Sequence, residues 1–380
     1  MRLNSILAIG VALALACNVN HARAQIQPTH SDLVYATLGG TPLRLDLYIP
    51  NAAPQPYPVV IWIHGGGWSG GSKFPAGNAG LLMQHGFAVA SLDYRLTSQA
   101  GQYGANAVTF PAQIHDVKGA IRWLRANAGT YHLDPARFGA WGGSAGGHLA
   151  ALAGTSGGVA AIEGNIGGNL AFSSAIQAVA DHFGPTDLLN MQLDVTTPPG
   201  SAFDHDSPGS PESHLIGFDQ PSQGIGVLRA NQSNPNPPYP AFMTLITQAN
   251  PITWVDANDP PFTIAHGTAD NVVPQNQSTR MANALQAVGV PYDYTPVVGA
   301  GHGGFPVSII TDTVAFFMHE LRHEPGDVNS DGSINVQDLL AVVNNWGPCA
   351  QAPNFCPAEA TGDGTVNVHD LLAVINHWGL

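Results

Sequence analysis

Residues 141–148 read WGGSAGGH, a serine set among glycines and alanines. RFGA, an apolar strand-like run, precedes it, and HLAALAG, a helix-like run, follows. A chain that turns from strand to helix over so few residues needs small neighbours, because the helix must pack back against the sheet it has just left. The glycines clear that space and let the Ser144 hydroxyl project at the sheet edge. This stretch commits the chain to an α/β architecture and marks Ser144 as a candidate nucleophile.

The text around it keeps the same alternation from about Ser31 to Glu324. LVYATLGGTPLRLDLYIP predicts a hairpin about Gly39-Gly40. PVVIWIHG and GFAVASLDY predict buried strands, and DVKGAIRWLRANA an amphipathic helix from Asp116. AIQAVADHFG, PPFTIAHG and YDYTPVVGAG predict three further strands, with helices over PQNQSTRMANALQAVG and SIITDTVAFFMHELRH. Strands alternating with helices imply a mainly parallel sheet covered on both faces. Between Leu188 and Asn258 the text turns to Pro, Asn, Gln, Ser and Asp with weak periodicity, and is expected to be a surface insertion overhanging a site.

The 380 residues exceed one small domain, since domains run to roughly 100–200 residues. Hydrophobic residues make up 44%, which supplies a substantial core, while 44 glycines and 30 prolines fall between apolar runs as turns. The net charge of −14, with no basic stripe, excludes a nucleic-acid partner, which needs clustered Lys and Arg. At the N-terminus Arg2, the apolar run Ile6 to Ala16 and Ala22-Arg23-Ala24 have the form of a signal peptide over residues 1–24, cut after Ala24. The apolar run is too short to span a bilayer. The chain is therefore expected to be secreted, with a lipid anchor at Cys17 as the alternative. Of the remaining cysteines, Cys349 and Cys356 are close enough to bridge in an exported protein, and two free thiols are the other reading.

A serine nucleophile needs donors for an oxyanion, a base and an acid. HGGGW, His64 to Trp68, closes a strand, and its glycines let the N–H groups of Gly65 and Gly66 enter a cavity with that of Ala145. His64 is assigned to shaping this loop. In the chain order serine, acid, histidine, His302 in GAGHGG follows the last strand, and Asp270 in HGTADNVVP follows the strand before it. Asp181 and Asp187 in DHFGPTDL are the rival acids. His148, His182 and His266 are read as structural.

Taken in order, HGGGW, DYRL, GGSAGGHLA, FGPTDL, HGTADNVVP and GAGHGG resemble the α/β-hydrolase carboxylesterases. The resemblance runs to bacterial feruloyl and acetyl xylan esterase-like enzymes near the hormone-sensitive lipase-like branch. It covers nearly all of residues 31–324 and sets a catalytic domain over 25–324. It implies Ser144 as nucleophile, Asp270 and His302 as its partners, Gly65, Gly66 and Ala145 as oxyanion donors, and no cofactor for catalysis. The expected substrate is an acetyl or feruloyl ester, on polysaccharide. A broad short-chain esterase, lipase or polyesterase is the second reading, and a non-catalytic binding module the third.

After Glu324 the text changes. GDVNSDGSINVQDLLAVVNNWG recurs as EATGDGTVNVHDLLAVINHWG, so residues 325–380 hold two copies of one small unit. Asp327, Asn329, Asp331, Ser333 and Asp338 place oxygen donors at alternate positions about Gly332, an EF-hand-like calcium pattern. The second copy offers Glu359, Thr361, Asp363, Thr365 and Asp370, with two positions degraded. The repeat, with Asp rather than Glu at loop position twelve, resembles a type I dockerin. That resemblance implies a small all-α module, structural Ca2+, and a cohesin or cell-surface partner.

Overall fold

The computed structural model describes residues 26–51, 53–195, 200–321, 326–328, 333–349, 358, 360–361 and 365–378. The leader of residues 1–24 lies outside the described residues. Eight strands form one sheet: β1 (His30–Leu38), β2 (Thr41–Tyr48), β3 (Tyr57–Ile63), β4 (Ala88–Leu92), β5 (Leu133–Gly143), β6 (Ala178–His182), β7 (Phe262–Gly267) and β8 (Tyr292–Val297). Their spatial order is β1-β2-β4-β3-β5-β6-β7-β8. β1 and β2 form the expected hairpin, with Gly39 and Gly40 at φ 55° and 85°, and β2 is antiparallel to β4. From β4 onward every pairing is parallel. β3, β4 and β6 are buried on both faces, apart from half-buried Trp62, so β3 and β4 read as nearly continuous apolar runs rather than alternations, while β6 ends on Asp181 and His182.

Helices cover both faces: α1 (Ala79–Gln84), α2 (Ala112–Ala126), α3 (Ala128–Tyr131), α4 (Ala145–Thr155), α5 (Ala160–Glu163), then α6 (Pro211–Ile216), α7 (Ile225–Ala230) and α8 (Tyr239–Ala249) in the insertion, and α9 (Asn276–Val288) and α10 (Val307–Leu321). α4 is buried along its whole length, which explains a helix with almost no polar face. α2 begins at Ala112, a turn earlier than the pattern predicted; Gln113 is buried there because its amide serves the carbonyls of Arg95 and Val108.

The insertion departs from the expected polar surface segment. Leu188, Leu215, Ile216, Phe218, Ile225, Leu228, Ile246 and Ala249 are all buried in the main core. Short helices hid this, since six residues give too few turns to establish a period. The segment is also tied down by polar bonds. Gln277 on α9 accepts from the N–H groups of Thr186 and Asp187 and donates to Asp194, which also holds Arg280 at 2.7 Å through two donors.

In the tail, α11 (Val336–Asn344) and α12 (Val368–Asn376) each carry an Asn N-cap and a reciprocal Asp three residues on. Val328, Ile334, Val342, Val366 and Val374 pack into a separate small core. A two-residue antiparallel pair, β9 (Gly347–Pro348) with β10 (Thr365–Val366), adds to the expected all-α unit. Cys349 is disulfide-bonded; Cys356, its expected partner, lies outside the described residues. No described helix is long and apolar enough to cross a membrane.

Below the site, Arg95 of the DYRL stretch meets Asp116 on α2. The guanidinium donates to both carboxylate oxygens at 2.7–3.1 Å, and the Arg95 N–H adds a bond of 2.9 Å; both side chains are buried. Removing one partner strands a buried charge, which costs about 3–5 kcal/mol. Asp116→Ala is expected to lower stability by that amount in urea denaturation, and a loss below about 1 kcal/mol would contradict the structural role given to this pair.

Candidate active site

Ser144 leaves β5 with φ 58° and ψ −127°, a backbone state that side-chain-bearing residues rarely adopt. It is held there by its N–H, which donates to the His182 carbonyl at 2.9 Å. The glycines around it are required by close approach. A Cβ on Gly142 would lie 2.2 Å from the Gly146 backbone, and one on Gly146 would lie 2.1 Å from the Ile63 carbonyl. Gly65 sits against this turn, since a Cβ there would lie 2.8 Å from the Gly143 carbonyl and 3.4 Å from Ser144 Cβ. Ala145 opens α4, so its N–H has no intrahelical partner. Gly65, Gly66, Ser144 and Ala145 line one cavity.

His64 keeps the loop in shape rather than facing a reactant. Its ring stacks on Tyr94 with centroids 4.3 Å apart, and Tyr94 donates to the His64 carbonyl at 2.9 Å. Trp68, at φ 55° and buried, donates from Nε1 to His148 Nδ1 at 3.1 Å, and His148 Nε2 donates to the Ala249 carbonyl at 2.8 Å. This relay links the glycine loop, α4 and the end of the insertion. Burial lowers the His148 pKa to about 4, so the ring stays neutral and can accept from the indole.

Asp270 and His302 come together because the loops after β7 and β8 are stitched to each other. The N–H groups of Thr268 and Ala269 donate to the carbonyls of Val297 and Ala300, and that of Gly299 donates to Thr268 Oγ1. Asp270 commits Oδ1 to the N–H groups of Val272 and Val273. Its Oδ2 accepts from His302 Nδ1 at 2.7 Å. Burial pushes this carboxyl up, but hydrogen bonds from His266 and His302, the His302 charge and the Val272 N–H outweigh it. The net position is well below the usual carboxylate range. With Nδ1–H given to Asp270, the His302 lone pair lies on Nε2, and His302 lines the same cavity as Ser144.

The rival acids lie elsewhere. Asp181 gives Oδ1 to the Gly184 N–H at 2.9 Å, and burial pushes its pKa up to about 6. Asp187 is occupied by Asn190 and Asn250, with Arg280 3.5 Å away.

Three contributions were not legible in the sequence. His266, read as structural, lies with Nε2 3.3 Å from Asp270 Oδ2 while its Nδ1 meets Ser278 Oγ at 2.7 Å. Phe183, at φ 46°, sets its ring edge-to-face on His302 with centroids 4.7 Å apart. Its pairing could be suspected only from the FGPTDL stretch in which it stands. The cavity, of about 700 Å³, has an aromatic wall of Trp62, Trp141, Phe183 and Phe305, and polar His205 and Glu212 from the insertion.

Residues 45–285 match the BD-FAE family model. The chain belongs to this family. The BD-FAE domain is similar in structure to a truncated carbohydrate esterase from gut microbiota, with 32% identity, a TM-score of 0.64, and 79% of this chain and 98% of that one covered. It is also similar to a bifunctional GH43-CE protein of Bacteroides eggerthii, with 36% identity and a TM-score of 0.62 over 76% of this chain and 38% of that one. Esterase LipQ of Mycobacterium tuberculosis is 30% identical over 278 residues, covering 72% of this chain. This chain spans 56% of LipQ, little more than half its length. Following the BD-FAE domain, residues 325–379 match the dockerin type I domain.

In that tail Asp327, Asp338 and Asp370 are buried, whereas Asn329, Asp331, Glu359 and Asp363 lie outside the described residues. Among the described residues no cluster of three or more His, Cys, Asp or Glu could hold a metal. Asp370 Oδ1 accepts from the N–H groups of Ala360 and Thr361 and from Thr361 Oγ1.

His148 and His182 give the BD-FAE domain a specific acid sensitivity. Burial holds their folded pKa values at about 4 and about 3, below the ordinary 6.5. Above pH 6.5 both states are neutral; below it the unfolded chain binds protons that the native one does not, so stability falls with pH. Each ring contributes a slope of about 1.4 kcal/mol per pH unit between roughly pH 6 and 4. Urea denaturation across this range should therefore show a flatter slope in His148→Gln, by about one proton. An unchanged slope would show that His148 is not held neutral.

Proposed function

We propose that this chain is a secreted serine carboxylesterase that removes acetyl or feruloyl groups from polysaccharide or its oligosaccharides, and that the tail anchors it through calcium-stabilised loops. The observation that carries the reading is the convergence of Ser144, on its strained turn, with His302 and buried Asp270 about a cavity flanked by the glycine loop. In the proposed reaction Ser144 Oγ attacks the ester carbonyl while His302 Nε2 takes its proton. Asp270 orients the ring and stabilises its cationic form. The N–H groups of Gly65, Gly66 and Ala145 receive the developing oxyanion. His302 then returns the proton to the departing alcohol, and water repeats the sequence on the acyl-enzyme.

Carbohydrate is favoured as the alcohol by the two similar carbohydrate esterase structures and by the dockerin. The aromatic wall suits a feruloyl ring, and the volume leaves room for a sugar beside an acetyl group. The same wall also favours, as the second reading, a broad esterase for short-chain acyl groups. A cohesin on a scaffold or cell surface is the proposed partner of the tail.

Buried carboxylates with oxygen neighbours suit a hard cation, so the chemistry of Asp327, Ser333 and Asp338 fits Ca2+, joined by Asn329 and Asp331 in the first loop. The second loop would use Glu359, Thr361, Asp363, Thr365 and Asp370. There Glu359 and Thr361 stand where the first loop has Asp327 and Asn329, a longer carboxylate and a hydroxyl that fit the coordination sphere less well. Calcium would supply stability to a unit with a small core and no chemistry to the ester.

Ser144→Ala and His302→Ala are each expected to lower kcat by several orders of magnitude on a chromogenic acetate with the fold intact. Asp270→Asn should be severe and Asp187→Asn mild; the reverse order would move the acid assignment to Asp187. A chelator should raise hydrogen exchange across residues 326–378 while turnover barely changes. Calcium titration should resolve a tighter first site and a weaker second. Equal affinities, or turnover that collapses with the chelator, would contradict the proposed role of the metal.

A further inference from the structure

The insertion places an acid and a base in the cavity wall that the proposed acyl transfer does not use. Glu212 and His205 are 3% and 2% exposed. Glu212 Oε2 and His205 Nδ1 approach to 3.3 Å, yet neither atom has an aligned hydrogen-bond partner among the described residues. Buried polar atoms without partners are uncommon and costly, and in a ligand cavity they mark where a ligand supplies the missing bond.

The surroundings fix both groups. Ser201 Oγ accepts from the Phe203 N–H at 3.1 Å and lies 3.1 Å from His205 Nε2. With the serine hydroxyl donating to Nε2, the ring hydrogen lies on Nδ1, on the Glu212 side but not aligned on Oε2, and two bare acceptors are not set 3.3 Å apart. The His205 N–H donates to Gln192 Oε1 at 2.8 Å. Glu212 follows Pro211 in the first turn of α6, capped by Ser210 Oγ, which accepts from the Ser213 N–H. A Cβ on Gly67 would lie 3.5 Å from Pro211 Cβ, so this turn abuts the glycine loop that flanks Ser144.

We propose that Glu212 and His205 form a polar subsite that reads a hydroxyl group next to the ester being cleaved. An acceptor-only carboxylate beside an imidazole N–H is matched by a group that donates and accepts at once, which is what a sugar hydroxyl does. The inference rests on the serine esterase reading and deepens it: aromatic rings enclose the acyl group and ring faces, and this pair selects alcohols that carry a free hydroxyl. A substrate lacking that hydroxyl leaves the pair with only its misaligned 3.3 Å contact and is disfavoured.

The test compares mono-O-acetyl methyl xyloside, which retains two free hydroxyls, with cyclohexyl acetate, a ring of similar size with none. The readout is the ratio of the two kcat/KM values. Glu212→Leu is expected to lower that ratio about 10- to 100-fold, the worth of a hydrogen bond to a charged group. Glu212→Gln, which keeps shape and one acceptor, should lower it less, and it decides the matter if the leucine variant does not fold. Equal losses on both substrates would reduce the pair to a structural role and overturn the subsite. So would an unchanged ratio. Wild-type protein that cleaves cyclohexyl acetate and not the xyloside would instead overturn the carbohydrate reading on which the subsite rests.

Discussion

The absence of side-chain volume around Ser144 is the constraint on which the rest depends. Strand β5 cannot pass into α4 unless the helix starts almost in contact with β3 and β6. A Cβ on Gly146 would strike the Ile63 carbonyl, and one on Gly147 would come within 2.5 Å of Asp181 Oδ1. Any larger residue would push α4 outward and open the turn. Because the turn stays closed, the Ser144 N–H is spent on the His182 carbonyl and the glycine loop lies directly alongside. The strained φ of Ser144 is sustained by these contacts rather than by any local preference. A fully buried α4 supports the turn from beneath, where packing leaves no room for relaxation.

The electrostatics of the same edge separate two buried acids that the sequence left in competition. Asp181 and Asp270 both sit at strand ends, and burial raises the cost of charging either one. Asp181 has one backbone donor, and its Oδ2 has no hydrogen-bond partner among the described residues, so desolvation prevails and its pKa goes up. Asp270 has two backbone donors on one oxygen and two imidazoles near the other, so the donors prevail. Only a carboxylate that stays charged can orient His302 and stabilise its cationic form. The difference is made chiefly by the hydrogen bonds of His266 and His302, to which the Val272 N–H adds.

Legibility followed the range of the interactions. Strands buried on both faces announce themselves as apolar runs, and the glycine loop, the serine turn and the loop with Asp270 each follow such a run, while His302 follows the largely exposed edge strand β8. Their convergence was readable from chain order once a parallel sheet was inferred, because its strands end along one edge. What escaped was held by distant partners. Nothing near His148 indicates a bond to Ala249, 101 residues away, or to Trp68, 80 residues earlier. Phe183 takes a positive φ that no local pattern advertises. The insertion spreads its apolar residues over helices too short to show a period, and prolines obscure the remainder, so a packed segment read as a polar surface one.

That contrast divides the molecule by mechanical role. Ser144, Asp270 and His302 stand just beyond the ends of sheet strands, where parallel pairing from β4 to β8 fixes their spacing. The polar His205 and Glu212 of the cavity wall stand on the insertion, which grips the sheet domain through Gln277, Arg280 and the His148 relay. Changes in the insertion can therefore alter the cavity wall without disturbing the turn at Ser144, provided those three attachments persist. The exception is Pro211, whose contact with Gly67 couples the wall to the glycine loop. A substitution that shifts α6 would move Glu212 and the loop together, so the cavity wall and the glycine loop are mechanically linked at that one point.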